Sequence, residues 1–215
     1  MILHIKTFSF NLAGENSYLL YNEKGEAALI DCGASNPKEW NTIISFLSEK
    51  NLSLKISLAT HFHFDHVWGA PFIWESFGIK TYVSQEERQI LPSLKDQLRA
   101  FGLTLDSKLD DTCFEDLDPN MKTLIGEPLQ VLSVPGHSPA HVAFFLPTQQ
   151  CIFSGDVIFA GGIGRTDLWG GSYEVLGQSI FDKIYTLPSE TTIYSGHGPN
   201  TTVGIEQQTN PFFRL

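Results

Sequence analysis

The sequence predicts an α+β fold in which two β-sheets pack together and helices lie against their faces. Strands alternate with helices between residues 27 and 83, which indicates helices laid on a sheet. A second strand-rich region begins at residue 129, beyond a helical middle. With 215 residues, 42% of them hydrophobic, the chain can bury the core of a single domain over 1–215.

The first half is predicted to contain five strands and two helices. Asn36 is placed to cap a helix whose first residue is Pro37, and Glu39 is placed to close a capping box. Apolar residues at helical spacing extend this helix to about Glu49. The predicted strands are 2–10, 17–21, 27–30, 54–59 and 80–83, and the predicted helices are 37–49 and 69–77.

Ser84 and Glu87 have the spacing of a second capping box, which opens a polar helical stretch that Pro92 divides. The acidic segment 106–120 is predicted to be a solvated loop, and the glycine-rich segment 161–171 is too irregular for a helix or a strand. The remaining predicted elements are strands at 129–134, 141–146, 151–153 and 192–194 and a helix at 173–184.

One segment concentrates potential metal ligands. Residues 61–66 read His-x-His-x-Asp-His, directly after an apolar strand pattern, and include three of the seven histidines. In an extended chain His61, His63 and Asp65 point to the same side, whereas His66 needs a bend to join them. Imidazole nitrogen and carboxylate oxygen are suitable ligands for Zn²⁺ and Fe²⁺. The spacing therefore favours a metal site over a polar loop with scattered histidines.

Other predicted strand ends present further side chains of ligand type. His137 follows Pro-Gly, Asp156 follows Ser-Gly, and His197 lies between two glycines. Asp31 ends the strand 27–30 and is either a turn residue or the acceptor of a hydrogen bond from a metal-bound histidine. Ligands gathered at one edge of a sheet sandwich form an open site, which indicates catalysis rather than a structural metal.

These motifs, in this order, resemble the metallo-β-lactamase fold superfamily, and in particular small glyoxalase II-type (hydroxyacylglutathione hydrolase-like) proteins. The resemblance covers nearly the whole chain and implies a four-layer αβ/βα sandwich. It also implies a pair of metal ions. The implied ligands are His61, His63 and His137 for one metal, Asp65, His66 and His197 for the other, and Asp156 as the bridge between them.

The resemblance implies a binuclear zinc hydrolase, with Fe or Mn as other possible metals, that cleaves a small acyl-thiol such as S-lactoylglutathione. A hydroxide held between the metals would attack the thioester carbonyl, and Asp65 would orient it and handle its proton. Full-length glyoxalase II enzymes add a C-terminal helical domain that contacts glutathione. This sequence ends soon after His197, so the identity of the thiol in the substrate stays open.

Arg165, in the segment Gly-Arg-Thr-Asp, has two interpretations. Its guanidinium is suited to binding a substrate carboxylate. Alternatively, it pairs with Asp167 and stiffens the loop. The main competing function is a mononuclear iron persulfide dioxygenase of the same fold, in which the equivalents of His61, His137 and Asp156 hold iron and the Gly-Arg-Thr-Asp segment is shared.

Composition limits the partners. The formal charge of −10 is dispersed and no basic run is present, so nucleic acid and anionic membranes are poor partners. The N-terminal segment lacks a signal-peptide pattern and no stretch is long enough to span a membrane, which predicts a cytoplasmic protein. Cys32, Cys113 and Cys151 are widely spaced and are expected to be reduced thiols. The oligomeric state stays open.

Overall fold

The computed structural model describes residues 2–103 and 111–215, and its first sheet contains the six strands of the first half of the chain. These strands are β1 (His4–Phe10), β2 (Glu15–Tyr21), β3 (Glu26–Ile30), β4 (Ser53–Leu58), β5 (Thr81–Val83) and β6 (Phe114–Asp116). They lie side by side in chain order. Pairing is antiparallel from β1 to β3 and parallel from β3 to β6.

The second half supplies a five-stranded sheet and two short hairpins. Its strands are β7 (Thr123–Leu124), β8 (Glu127–Pro128), β9 (Gln130–Ser133), β10 (Val142–Leu146), β11 (Cys151–Gly155), β12 (Ile158–Phe159), β13 (Gly162–Ile163), β14 (Thr192–Ser195) and β15 (Thr201–Thr202). The second sheet has the order β15-β14-β11-β10-β9, in which only β11 and β14 are parallel. The hairpins are β7 with β8 and β12 with β13.

Helices connect the strands and cover the sheets. They are α1 (Pro37–Glu49), α2 (Phe64–Val67), α3 (Ala70–Phe77), α4 (Gln85–Ile90), α5 (Leu94–Ala100), α6 (Tyr173–Ser179) and α7 (Val203–Thr209). A π-helical turn, Ile180–Ile184, continues α6. Among the described residues, no helix combines the length and the apolarity that crossing a bilayer requires.

Strand alternation assigns the apolar side chains to the layers. Successive residues of a strand point to opposite faces. On β2, Tyr18 packs between the sheets with Phe144 and Phe153 of the second sheet. Its neighbour Leu19 packs on the other face, in the cluster that contains Ile43 of α1.

The second sheet divides its residues in the same way. Phe144 faces the first sheet, whereas Phe145 packs with Leu176 and Ile180 of the α6 region and with Val203 of α7. The order of layers is therefore helix, sheet, sheet, helix. This confirms the predicted α+β four-layer sandwich.

The start of α1 is as predicted, although one contact differs. The side chain of Asn36 accepts hydrogen bonds from the backbone N–H groups of Lys38 and Glu39. The Glu39 carboxylate does not close a capping box on Asn36. It accepts instead from the backbone N–H of Ser35 at 2.8 Å and of Asn11 at 3.2 Å, and so ties the β1–β2 turn to the helix.

Several expectations were wrong in detail. After β4 the chain does not stay extended to Asp65, because the helical turn α2 begins at Phe64. Strand β6 lies within the segment predicted to be a loop, since it pairs in parallel with β5 while Glu115 and Asp116 stay exposed. Residues 104–110 of that segment lie outside the described residues. The sequence reasoning also missed α7 and the β12–β13 hairpin. All three cysteines are buried.

Candidate metal centre

The candidate ligands lie where strands from both sheets end. The parallel strands β3 and β4 lead to Asp31 and to residues 59–63, and the parallel strands β11 and β14 lead to Asp156 and His197. His137 follows β9, which runs in the same direction as β11 because both are antiparallel to β10. Strands that run in the same direction have their carboxyl ends at the same edge of the sheet. Separate parts of the sequence therefore meet at that edge.

The first group comprises His61, His63 and His137. One ligand atom from each lies within 4.8 Å of the others. Nδ1 of His63 is 2.8 Å from Nε2 of His137, and His61, His63 and His137 are 0%, 4% and 2% exposed. The group is therefore closed to solvent.

The second group comprises Asp65, His66 and His197. The predicted bend occurs earlier than expected, at the start of α2, so that Asp65 reaches the group from a helical turn. Oδ2 of Asp65 is 3.3 Å from Nε2 of His197 and 3.8 Å from Nε2 of His66. The side chains of Asp65 and His197 are 13% and 24% exposed, so solvent reaches the centre from this side. Burial lowers the pKa of His197, but the carboxylates of Asp156 and Asp65 raise it to about 10.

Asp156 lies between the two groups. Its Oδ1 is 3.3 Å from Nε2 of His66, and its Oδ2 is 3.4 Å from Nε2 of His197. The same Oδ2 is 3.6 Å from Nε2 of His137, which belongs to the first group. One carboxylate thus contacts both groups, as a bridging ligand would.

Gly196 makes room for this carboxylate. A Cβ atom built at position 196 would lie 2.6 Å from Cε1 of His66 and closer still to Oδ1 of Asp156. The backbone cannot move aside easily, because the Gly196 N–H donates to the carbonyl of Gly155 at 2.8 Å and its carbonyl accepts from Asn16 at 2.7 Å. Glycine is required here by space rather than by backbone conformation.

Four of the five histidines use Nδ1 for a hydrogen bond that points away from the centre. His66 contacts the carboxylate of Asp31 at 2.9 Å, and His61 contacts the hydroxyl of Thr60 at 3.0 Å. His137 and His197 contact the carbonyl oxygens of Arg165 and Ala13 at 2.7 and 3.1 Å. A proton on Nδ1 leaves the lone pair on Nε2, so each ring presents a ligand atom to the centre.

Asp31 connects two of these histidines. Besides His66, its carboxylate accepts from the Thr60 N–H at 2.7 Å and from the Thr60 hydroxyl at 2.9 Å. Because that hydroxyl donates to Asp31, its oxygen is left to accept from His61. Asp31 has a positive φ of 55°, a backbone conformation that residues other than glycine rarely adopt.

Unpartnered polar atoms test whether a metal fits. In the part of the chain that the structure describes, Nε2 of His61, Nε2 of His66 and Oδ1 of Asp156 are buried and make no hydrogen bond. Their residues nevertheless form a group whose ligand atoms lie within 4.8 Å of one another. Buried polar atoms without partners are costly. A divalent cation that accepts nitrogen and oxygen ligands would satisfy these atoms, so the donor set fits Zn²⁺ or Fe²⁺.

The charges differ between the two groups. Burial and neighbouring imidazoles lower the pKa of His61 and bring that of His63 to about 3. These rings are neutral and offer lone pairs. Burial also opposes a charge on His66, but the carboxylates of Asp156 and Asp31 raise its pKa. The carboxylates around the second group thus favour positive charge there, and a metal cation bound to the imidazoles would supply that charge in place of protons.

Sequence reasoning missed two buried side chains that hold the motif loop. Glu87 of α4, predicted to close a capping box, is 0% exposed, and Ser84 makes no capping hydrogen bond. The Glu87 carboxylate instead accepts from the backbone N–H of Phe62 at 3.1 Å. Gln97 of α5 accepts from the Phe64 N–H at 3.0 Å and donates to the Phe62 carbonyl at 2.8 Å. Periodicity gave no signal for such long-range contacts.

His141 also supports the centre. Its ring stacks on His61 with centroids 4.6 Å apart, and its Nε2 accepts from the backbone N–H of Asp156 at 3.2 Å. His141 therefore packs behind the first group and orients the bridging residue. Its position directly before β10, four residues after His137, favours such a packed residue over a ligand.

Arg165 makes the contact that the alternative interpretation described. Its Nε and a terminal nitrogen donate to the two oxygens of Asp167 at 2.7 and 2.8 Å, and both side chains are more than half exposed. The Arg165 backbone carbonyl is the acceptor that orients His137. The loop thus contributes to the centre through its backbone.

The chain belongs to the metallo-β-lactamase superfamily: the family profile described as "Metallo-beta-lactamase superfamily" matches residues 11–197. The fold and the family define a metallo-hydrolase, a class whose members bind a metal such as zinc or iron. A protein of Haemophilus influenzae (strain Rd), named hydroxyacylglutathione hydrolase GloC, is 38% identical over 200 residues, which are 92% of this chain and 92% of that protein.

Two solved structures are similar over nearly the whole chain. The BLEG-1 B3 metallo-beta-lactamase has a TM-score of 0.83 at 35% identity and covers 97% of this chain and 99% of its own. TTHA1623, solved in a di-iron-bound form, has a TM-score of 0.83 at 34% identity and covers 97% and 100%.

Proposed function

We propose that this protein is a binuclear zinc hydrolase that cleaves thioesters of the hydroxyacylglutathione type. The observation that supports this most is the position of Asp156, whose two oxygens face histidines of both groups. The name of the Haemophilus influenzae relative supports the thioester class. The proposed ligands are His61, His63 and His137 for one zinc, Asp65, His66 and His197 for the other, and Asp156 for both.

When bound, the metal pair supplies Lewis acidity for a carbonyl oxygen and lowers the pKa of water toward neutrality. The protein positions these ions and keeps the imidazoles in the right tautomer. Asp31 holds the proton on Nδ1 of His66, and the Arg165 carbonyl does the same for His137. The buried first group excludes bulk water, so a substrate approaches over Asp65 and His197.

Asp65 is the proposed catalytic residue. Burial opposes its ionisation, but the neighbouring His66 and a hydrogen bond from His197 lower its pKa. It therefore stays a carboxylate near neutral pH. On the solvent-facing side, this carboxylate can accept a hydrogen bond from the attacking water, orient it and take its proton.

Arg165 is proposed to contact a carboxylate of the substrate. The contact with Asp167 uses two of the five N–H donors of the guanidinium. The side chain is 54% exposed and belongs to the loop whose carbonyl orients His137. A substrate carboxylate at this position would lie beside the first group.

The test is thioester cleavage without oxygen. Zinc-loaded protein is incubated anaerobically with S-lactoylglutathione and with a simple acyl-thiol, and free thiol is measured. Cleavage is expected in the wild type, with near-complete loss in Asp156→Asn, because the amide removes the bridging charge. Absence of cleavage in a protein that holds two zinc ions per chain would overturn the proposal.

An iron enzyme is the second candidate, because the di-iron-bound form of TTHA1623 shows that a protein of this fold can hold iron; the persulfide dioxygenase would use a single iron. A persulfide dioxygenase requires iron with open positions for O₂, so iron-loaded protein is tested for oxygen uptake with glutathione persulfide. Oxygen uptake without thioester cleavage would establish the dioxygenase instead.

Because BLEG-1 is named a B3 metallo-beta-lactamase, the zinc form is also tested against a chromogenic β-lactam, for which no turnover is expected.

A further inference from the structure

A buried carboxylate lies outside the proposed ligand set. Glu87 is 0% exposed, and both of its oxygens accept hydrogen bonds from backbone N–H groups: Oε2 from Phe62 at 3.1 Å and Oε1 from Ala140 at 2.7 Å. Burial raises the pKa of Glu87, and the two backbone donors oppose the shift.

The two amides belong to different ligand loops. Phe62 lies between His61 and His63, whereas Ala140 lies between His137 and His141. The carboxylate therefore spans the gap between the loop from the first sheet and the loop from the second. On the first loop, the hydrogen bonds of Gln97 to Phe62 and Phe64 fix the backbone on both sides of His63.

A carboxylate suits this position because it is an acceptor at both oxygens. A glutamine of the same shape would offer one acceptor oxygen and place an NH₂ group against one of the two N–H groups. An aspartate would be one methylene too short to reach both loops. The residue thus fixes the distance between the loops, and with it the relative position of His63 and His137, whose nearest nitrogens are 2.8 Å apart.

We infer that Glu87 is a positioning residue that joins the two ligand loops of the first group and thereby sets the affinity of that group for its metal. This inference rests on the proposed metal centre. It assigns no role to Glu87 in the second group, because other contacts hold that group. Asp65 is positioned by α2, His66 by its contact with Asp31, and His197 by its contact with Ala13.

The test measures each group separately. His66→Ala removes a ligand of the second group and leaves the first group complete. His63→Ala removes a ligand of the first group and leaves the second group complete. Zinc affinity is measured in both backgrounds with a competing chelator, with and without Glu87→Gln. In the His66→Ala background the affinity should fall about 10–100-fold, as found for partners that orient metal ligands. In the His63→Ala background it should change less than about 3-fold. Glu87→Gln should change the Co²⁺ absorption spectrum only in the His66→Ala background.

Glu206 provides the matched control. It is also buried, and its carboxylate accepts from the Gly161 N–H at 3.0 Å and from the Thr201 hydroxyl at 2.6 Å, neither of which belongs to the two loops that Glu87 joins. Glu206→Gln should lower the melting temperature and leave the zinc affinity of both groups unchanged.

Unchanged affinity of the first group in Glu87→Gln, or equal weakening of both groups, would overturn the inference. If Glu87→Gln does not fold, Glu87→Asp decides: it keeps the charge, and it should still weaken the first group more than the second. A wild-type protein that binds no zinc would instead overturn the proposed function. These failures are distinguishable because the wild type is titrated first.

Discussion

Gly196→Ala is expected to disrupt the metal centre through one added methyl group. The new Cβ would lie 2.6 Å from Cε1 of His66, whereas two carbon atoms need about 3.5–4.0 Å. Since the backbone hydrogen bonds to Gly155 and Asn16 hold residue 196, His66 and Asp156 must move, by about 1 Å. Metal–ligand distances tolerate only about 0.2 Å. Overpacking of this kind costs about 1–3 kcal/mol, which corresponds to about 2–12 °C in melting temperature.

The assay compares the zinc content and the melting temperature of Gly196→Ala with those of Gly162→Ala. Position 162 is a suitable control because its φ is also not positive, and a Cβ there would meet Phe159 at an ordinary 3.7 Å. The control should bind about two zinc ions per chain, and Gly196→Ala at most one. Two zinc ions and an unchanged melting temperature in Gly196→Ala would refute the steric reasoning.

Three further variants test individual side chains. His66→Ala should lower the zinc content from about two to about one per chain, measured by elemental analysis; saturation of the wild type at one would contradict the binuclear centre. Asp65→Asn should lower kcat about 100-fold or more with an unchanged circular dichroism spectrum, and substantial retained turnover would rule out its role. Arg165→Ala should raise KM for carboxylate-bearing thioesters but not for uncharged ones. If Asp167→Ala and Arg165→Ala impair both substrates equally, the pair only stiffens the loop.

Local patterns predicted most elements because their signals lie within a few residues. The start of α1 follows from Asn36 and Pro37, and the division between α4 and α5 follows from Pro92. Strand β6 had no such signal. It is short and acidic, and its pairing with β5 rather than its own composition defines it.

The residues of the candidate site likewise divide into those that local motifs predict and those that only the tertiary structure reveals. Each of the seven proposed ligands belongs to a recognisable local motif, and the structure places these side chains close together; their role as metal ligands stays a prediction. Glu87 and Ser84 matched a local capping rule that the fold does not use. The partners of Glu87 are the amides of Phe62 and Ala140, which are 25 and 53 residues away. Contacts of that range depend on the tertiary arrangement, so periodicity and spacing could not reveal them.

The ligands come from both halves of the sandwich: His61 to His66 follow β4 of the first sheet, and His137, Asp156 and His197 follow strands of the second. Bound metal would therefore cross-link the halves and couple folding to zinc supply. By mass action, free zinc at about 100 times its dissociation constant adds about 2.7 kcal/mol to the free energy of unfolding. Zinc starvation would then remove stability together with activity, and a cell's proteases would degrade the metal-free form preferentially.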